Sequence, residues 1–212
     1  MKYIDIYECI IKYYPLGINE LEPIYQEYIG YKLLQELCYE KLNSVKSNQW
    51  VKLLSDLKTS FSSFICVRDE TESIEPSYSC SLILYQSKIG NILYQKEIRL
   101  HISVLSPFYT VFGLDTIRIY DTYDNVVMET QPILSVSPID DYKDSLPLVR
   151  DIVKNIYPEL SYVPFYYLKK RVKALSVAGV SVPEGSGASV FQALFTSEDI
   201  VNYKLRGDIN YE

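Results

Sequence analysis

A single histidine, His101, stands in a chain of 212 residues. A two-histidine metal site is therefore out of reach for one chain, and any Ser-His-Asp or Cys-His mechanism has one candidate base. The four cysteines, Cys9, Cys38, Cys66 and Cys80, form no Cys-x-x-Cys pair and have no histidine beside them to complete a zinc site. No stretch reaches the roughly 18 consecutive apolar residues of a membrane span. Met1 to Glu8 breaks its apolar residues with carboxylates, which reads against a secretory leader. A cytoplasmic protein with reduced, largely buried thiols and no membrane partner is expected; a Cys66–Cys80 disulfide between neighbouring strands is the minor alternative. Cationic excess is missing too. Twenty-one Lys and Arg against 27 Asp and Glu leave a formal charge of −6, which opposes attraction to phosphate backbones, so nucleic acid is not an expected partner.

What is present is a globular composition, 48% hydrophobic and 23% charged. A chain of this length buries roughly 70% of the surface its unfolded form exposes and needs no staple. Tyrosine is in excess, 21 residues. A phenol ring with a polar tip suits a contact surface and the edge of a core equally, and an AT-rich genome would also supply it.

Periodicity divides the chain. Tyr3, Ile6, Tyr7, Ile10 and Tyr14 repeat at helical spacing until Pro15 and Gly17. Residues 18–28 read as a loop or short turn around Pro23, followed by a helix over about Tyr31–Leu42. Trp50, Leu53, Leu54, Leu57 and Phe61 make one stripe of a third helix, with Asn48 as its cap. The period then drops to two. Phe64–Val67 predicts a strand and Asp69–Pro76 an acidic loop. Ser79–Gln86 and Ile92–Leu105 flank Gly90-Asn91 as a hairpin. Ile98, Leu100, Ile102 and Val104 alternate with Arg99, His101 and Ser103, which predicts one face on a core and the other, with His101, in water. Tyr109–Phe112, Thr116–Tyr120 and Val126–Val136 continue the series, with an edge or bulge at Pro132. Leu148, Val149, Ile152, Val153 and Ile156 share a helix face ending at Pro158. A strand over Leu175–Val182 and a short helix over Ala188–Phe195 close the chain. The expectation is one α+β domain over 1–212: a helical part at 1–61, an antiparallel meander of five or six strands at 62–137, and a helix, strand and short helix at 138–212.

Five constellations could carry chemistry. His101 could be approached by Cys66 or Cys80 across the sheet, but no third orienting group is indicated. Ser55 and Lys58 have Ser-x-x-Lys spacing without the companion motifs of that enzyme class. Glu184–Ser189 could offer backbone N–H groups to an anion but lacks the residues of a P-loop, and reads as a turn with a serine cap. Asp140, Asp141 and Asp144 form the densest carboxylate cluster, at a helix start that attracts aspartate for dipole reasons. Lys169, Lys170, Arg171 and Lys173 follow Tyr162, Phe165, Tyr166 and Tyr167, a juxtaposition that can grip single-stranded nucleic acid but reads here as a solvated face.

Two short stretches, Tyr14-Pro15-Leu16-Gly17-Ile18 and Ser181-Val182-Pro183 with Ala188–Phe195, resemble uncharacterised bacterial single-domain proteins of the polymorphic-toxin immunity type. The resemblance includes no catalytic motif and transfers no functional residue. It implies an immunity-type role; the lack of a convincing catalytic set, with the excess of tyrosine and acid, points the same way, to an immunity or antitoxin-like protein that occludes a partner. The expectation is thus a non-catalytic protein-binding module, with no cofactor, metal or catalytic residue, whose partner is another protein such as a basic toxin domain. Tyr25, Tyr28, Tyr31, Glu70, Glu72, Asp140 and Asp141 are the candidate contacts, aromatics supplying area and carboxylates steering the encounter. The alternative is a small hydrolase or ligand-binding enzyme with a site of carboxylates, tyrosine hydroxyls and His101.

Overall fold

The computed structural model describes residues 2–41, 46–61, 65–182 and 185–212. Leu42, Phe64, Pro183 and Glu184 of the stretches above lie outside them. Helices α1 (Tyr3–Tyr13), α2 (Pro23–Glu27), α3 (Ile29–Lys41) and α4 (Lys46–Ser60) precede strands β1 (Cys66–Asp69), β2 (Ser77–Ile89), β3 (Ile92–Ser103), β4 (Phe108–Tyr120), β5 (Val126–Glu129) and β6 (Ile133–Ser135). Then follow α5 (Ser145–Ile156), β7 (Ser161–Tyr162), α6 (Phe165–Leu168), α7 (Val190–Leu194) and β8 (Lys204–Arg206). The fold is mixed α+β around a largely antiparallel sheet in the order β1-β2-β3-β4-β6-β8, with β5 and β7 also on β4. β7 and β8 join it in parallel, so the last third of the chain contributes to the sheet as well as covering it.

The local chemistry explains the elements. Gly90 takes φ +60° at the first turn position of the β2–β3 hairpin, where a side chain would be strained. β4 runs unbroken through Gly113, where the absence of a side chain makes room for the Tyr142 ring; a Cβ there would sit 2.6 Å from that ring. Pro132, without an N–H to donate, separates β5 from β6. Leu146, Val149, Ile152 and Val153 give α5 its buried face.

The two faces of the sheet are both covered. On one, Trp50, Leu53 and Leu57 of α4 and the buried face of α5 pack on Leu82, Ile98, Leu100 and Val111. On the other, α1, α3 and α7 pack on Phe112, Leu114 and Leu134.

Several expectations change. Asn48 lies inside α4 rather than at its cap. Residues 175–182 form turns, pairing only through an isolated bridge from Leu175 to Leu16. Leu148 is exposed, and Leu146 takes its place in the core. All four cysteines are free: Cys66 lies opposite Ile83 and Cys80 opposite Asp69, so the two thiols are out of register. The largest change is His101. It is buried at 4% exposure, because the face expected in water lies under Phe191 and Phe195 at the α7 end.

Candidate functional site

One hollow of the structure gathers several carboxylates with Arg99 and His101. Asp69, Glu70, Thr71, Glu72, Glu75, Ser79, Arg99, His101, Thr196 and Glu198 line a cleft of about 530 Å³. Three segments build it: the end of β1 with the loop after it, the start of β2 beside the end of β3, and the chain leaving α7. Strand alternation places Ser77, Ser79 and Ser81 of β2 beside Ser103, His101 and Arg99 of β3 on the same sheet face.

The acidic rim is held in place from beneath. Lys41, at the end of α3, is buried, and its ammonium donates to the backbone carbonyls of Glu72, Glu75 and Ser77. Burial pulls its pKa below the ordinary lysine value. Those three carbonyls fix the loop, so the Glu72 and Glu75 side chains are free of that task. Glu75 turns to the other wall and accepts from the Ser197 N–H and hydroxyl at 3.0 and 2.7 Å. Glu70 accepts from the Ser81 hydroxyl at 2.6 Å, and Asp69 from the Trp50 indole at 3.2 Å.

Arg99 is the single basic residue among the cleft's lining residues, and its charge is spoken for. It donates to Glu97 at 2.7 Å and to Glu198 at 2.8 Å. Burial works against its charge, but Glu198 and Glu97 outweigh that and hold its pKa above the ordinary arginine value. Tyr203 donates to the second oxygen of Glu198 at 2.6 Å, and Gln95 to Glu97 at 2.6 Å. Among the described residues the remaining carboxylates of the cleft make no ion pair, but Lys41 beneath them attracts Glu75, Glu72 and Asp69, and Arg99 attracts Glu70.

Ser79 and His101 form its floor. Ser79 Oγ lies 2.9 Å from His101 Nδ1 and 3.0 Å from Ser77 Oγ, and Ser77 donates to the Phe195 carbonyl at 2.6 Å. Proton bookkeeping orders this chain. With the Ser77 proton on Phe195, Ser77 accepts from Ser79, and Ser79 in turn accepts from an Nδ1–H of His101. The Ser79 proton thus points away from the imidazole, and Nε2 is left as a buried lone pair with no partner. Desolvation first, then the charge of Arg99, lowers the His101 pKa to about 3. The pair has the contact distance of a nucleophile and base but the opposite proton polarity.

The expected contacts separate. Glu70 and Glu72 come together in the cleft. Asp140 and Asp141 lie elsewhere, on the other side of the sheet, where Asp141 pairs with Lys96 and Asp140 with Arg206 at 3.6 Å. Tyr25 and Tyr31 are buried, their rings edge-to-face at 4.7 Å, and the Tyr25 hydroxyl donates to Ser176. Tyr28 is half-buried and donates to the Ile11 carbonyl. These rings fasten α2 and α3 to the body of the protein, so they are packing rather than contact surface. Of the 21 tyrosines, eight are buried and five exposed. Ser55 and Lys58 lie exposed on α4, outside the cleft. Gly185–Ser189 leads to Ser189, which caps α7 by accepting from the Gln192 N–H.

Sequence reading missed Glu75, Ser79, Arg99 and Glu198 as members of one site. A signal was available: the apolar run Ala188–Phe195 had to bury both its sides, and the unassigned sheet face was the surface left for it. The chain matches no protein-family model, no curated protein and no solved structure. Among the described residues no helix is long and apolar enough to cross a membrane, and no cluster of His, Cys, Asp and Glu has the geometry to hold a metal ion.

Proposed function

We propose that the protein is a non-catalytic binding module that docks another protein through the acidic cleft, receiving a basic segment of it. One observation carries this reading: Asp69, Glu70, Glu72, Glu75 and Glu198 line one cleft whose lining includes one basic residue, already paired. Such a hollow attracts ammonium and guanidinium groups and steers a cationic surface onto itself, in line with the charge of −6. The resemblance to immunity proteins fits the same reading. Occlusion of a basic functional surface, as on a toxin domain, is its most concrete form.

The test is to capture partners from the source cell, then measure the captured protein against the native chain and Glu70→Gln/Glu72→Gln. A partner with a basic face, bound about tenfold or more less tightly by the double variant and weakened by salt, supports the proposal. Binding indifferent to both changes, or no stoichiometric partner in repeated captures, refutes it.

A second reading, hydrolysis at Ser79, is favoured by the 2.9 Å contact to His101 alone. It requires covalent labelling of Ser79 by a fluorophosphonate, and a chain that stays unlabelled under conditions that label a control serine hydrolase removes it.

A further inference from the structure

The basic and aromatic cluster at 162–173 is the motif of the sequence that the acidic cleft does not use. Its members have different surroundings. Arg171 pairs with Asp199 at 3.0 Å. Tyr162 packs on Arg150, away from the lysines. Lys170 has no carboxylate within ion-pair distance among the described residues. Its ammonium lies instead 4.3 Å from the ring centre of Tyr3, 4.4 Å from that of Tyr166 and 5.0 Å from that of Tyr167. Three electron-rich ring faces converge on one positive charge, an arrangement that attracts a cation without offering it a hydrogen-bond acceptor.

The rings do not depend on the lysine for their places. Tyr3 and Tyr167 stack at 5.8 Å, and Tyr166 and Tyr167 meet at 5.3 Å. Tyr3 opens α1, whose first turn is closed by the Lys2 N–H on the Asp5 carboxylate at 3.0 Å. The Tyr166 and Tyr167 N–H groups donate to Ile209 and Pro164, each at 3.0 Å. Tyr166 is 39% exposed, so the cluster opens to solvent.

We propose that Tyr3, Tyr166 and Tyr167 form a binding site for an alkylammonium group, a methylated one above all, with Lys170 as a built-in occupant that the ligand displaces. The preference follows from hydration. A primary ammonium gives up water hydrogen bonds that these rings do not replace, whereas a quaternary ammonium carries the same charge with little water to lose. Lys170 overcomes that penalty because its stem holds it at the rings, at an effective concentration on the order of millimolar or above. The site is distinct from the acidic cleft and stands or falls separately from it.

The test opens the cage with Lys170→Ala and, as an independent variant, Lys170→Ser. Each is titrated with tetramethylammonium ion and with a peptide bearing one trimethyl-lysine, following the amide and ring resonances of Tyr3, Tyr166 and Tyr167. Saturable shifts are expected in both variants, roughly tenfold weaker in the native chain, where Lys170 competes. They are lost when Tyr3→Ala or Tyr167→Ala is added. A peptide that binds about tenfold tighter than the free ion assigns the ligand to a protein side chain; equal affinities assign it to a small free cation. The native chain gives a check that needs no variant: tetramethylammonium should move the Lys170 side-chain resonances toward those of a solvated lysine. Folded variants without a saturable response, a response that survives Tyr3→Ala, or an unmoved Lys170 in the native chain overturns the proposal.

Discussion

Both faces of the sheet bury apolar residues, but one of them adds a polar part where β2 and β3 meet α7. Under α4 and α5 the contacts are apolar: Leu53 and Leu57 are wholly buried against Leu82, Ile98 and Leu100. Under α7 and the chain that follows it, β4 packs Phe112 and Leu114 in the same way, but β2 and β3 present serines, His101 and Glu97, which are buried, and Arg99, which is half-buried, joined largely by hydrogen bonds. An apolar face gains by leaving water and tolerates imperfect partners. A polar face gains little on balance and loses heavily when one member goes, because the others remain buried and unpaired. Removing single residues should therefore separate the two faces.

The largest effect is expected on the polar face. Arg99→Met leaves Glu97, 2% exposed, with Gln95 as its remaining partner, and should cost about 3–5 kcal/mol of unfolding free energy in urea. Replacing both residues, Arg99→Met with Glu97→Leu, should restore much of that loss. A double variant as unstable as the sum of the two single ones would mean that the pair is not coupled and that the contrast between faces is false. On the apolar face Leu57→Ala should cost about 3 kcal/mol from lost burial and the cavity left behind, with no second substitution able to rescue it by charge.

Acid separates the faces further. His101 titrates at about 3 in the folded chain against an ordinary 6.5, so between those values the unfolded chain holds the extra proton. Stability then rises with pH across that window and falls on acidification. At pH 5 the loss from this group is about 2 kcal/mol relative to pH 7. His101→Gln should flatten that part of the pH profile, and a variant that keeps the native slope would assign it to other groups.

His101 also marks how far the sequence could be read. The hairpin at Gly90-Asn91, the α5 stripe and the change from helical to alternating periodicity are local signals, and the structure follows them, with Leu146 in place of Leu148 on the stripe. The alternation in β3 was equally clear: Ile98, Leu100 and Ile102 do face α4 and α5. What alternation cannot supply is the environment of the other face, since Arg99, His101 and Ser103 suit water and a satisfied buried network alike. That depends on where α7 docks, a contact between residues about ninety positions apart. The candidate site was legible in part for the same reason. Glu70 and Glu72 were visible as a local acidic loop, whereas Glu198 reaches them through the fold. Tyr25 and Tyr31 misled because a phenol is as stable inside as out once its hydroxyl finds a backbone carbonyl, as that of Tyr25 does on Ser176, or its ring packs on another, as that of Tyr31 does on Tyr25.

The smallest change expected is the one most informative about function. Glu70→Gln/Glu72→Gln alters two exposed side chains of the cleft; Glu70 accepts from Ser81 at 2.6 Å, and a glutamine oxygen can accept there as well. The loop itself is held by Lys41 through backbone carbonyls, which the substitutions leave in place. Stability should therefore shift by less than about 0.5 kcal/mol, since the substitutions remove repulsion among the carboxylates together with the attraction of Glu72 to Lys41 and of Glu70 to Arg99. A loss of 2 kcal/mol or more in thermal or urea unfolding would mean that these carboxylates belong to the buried network and serve the fold. A change within that range would mean that the fold does not require these two charges, so that a loss of partner binding in the same variant can be assigned to the cleft and not to unfolding.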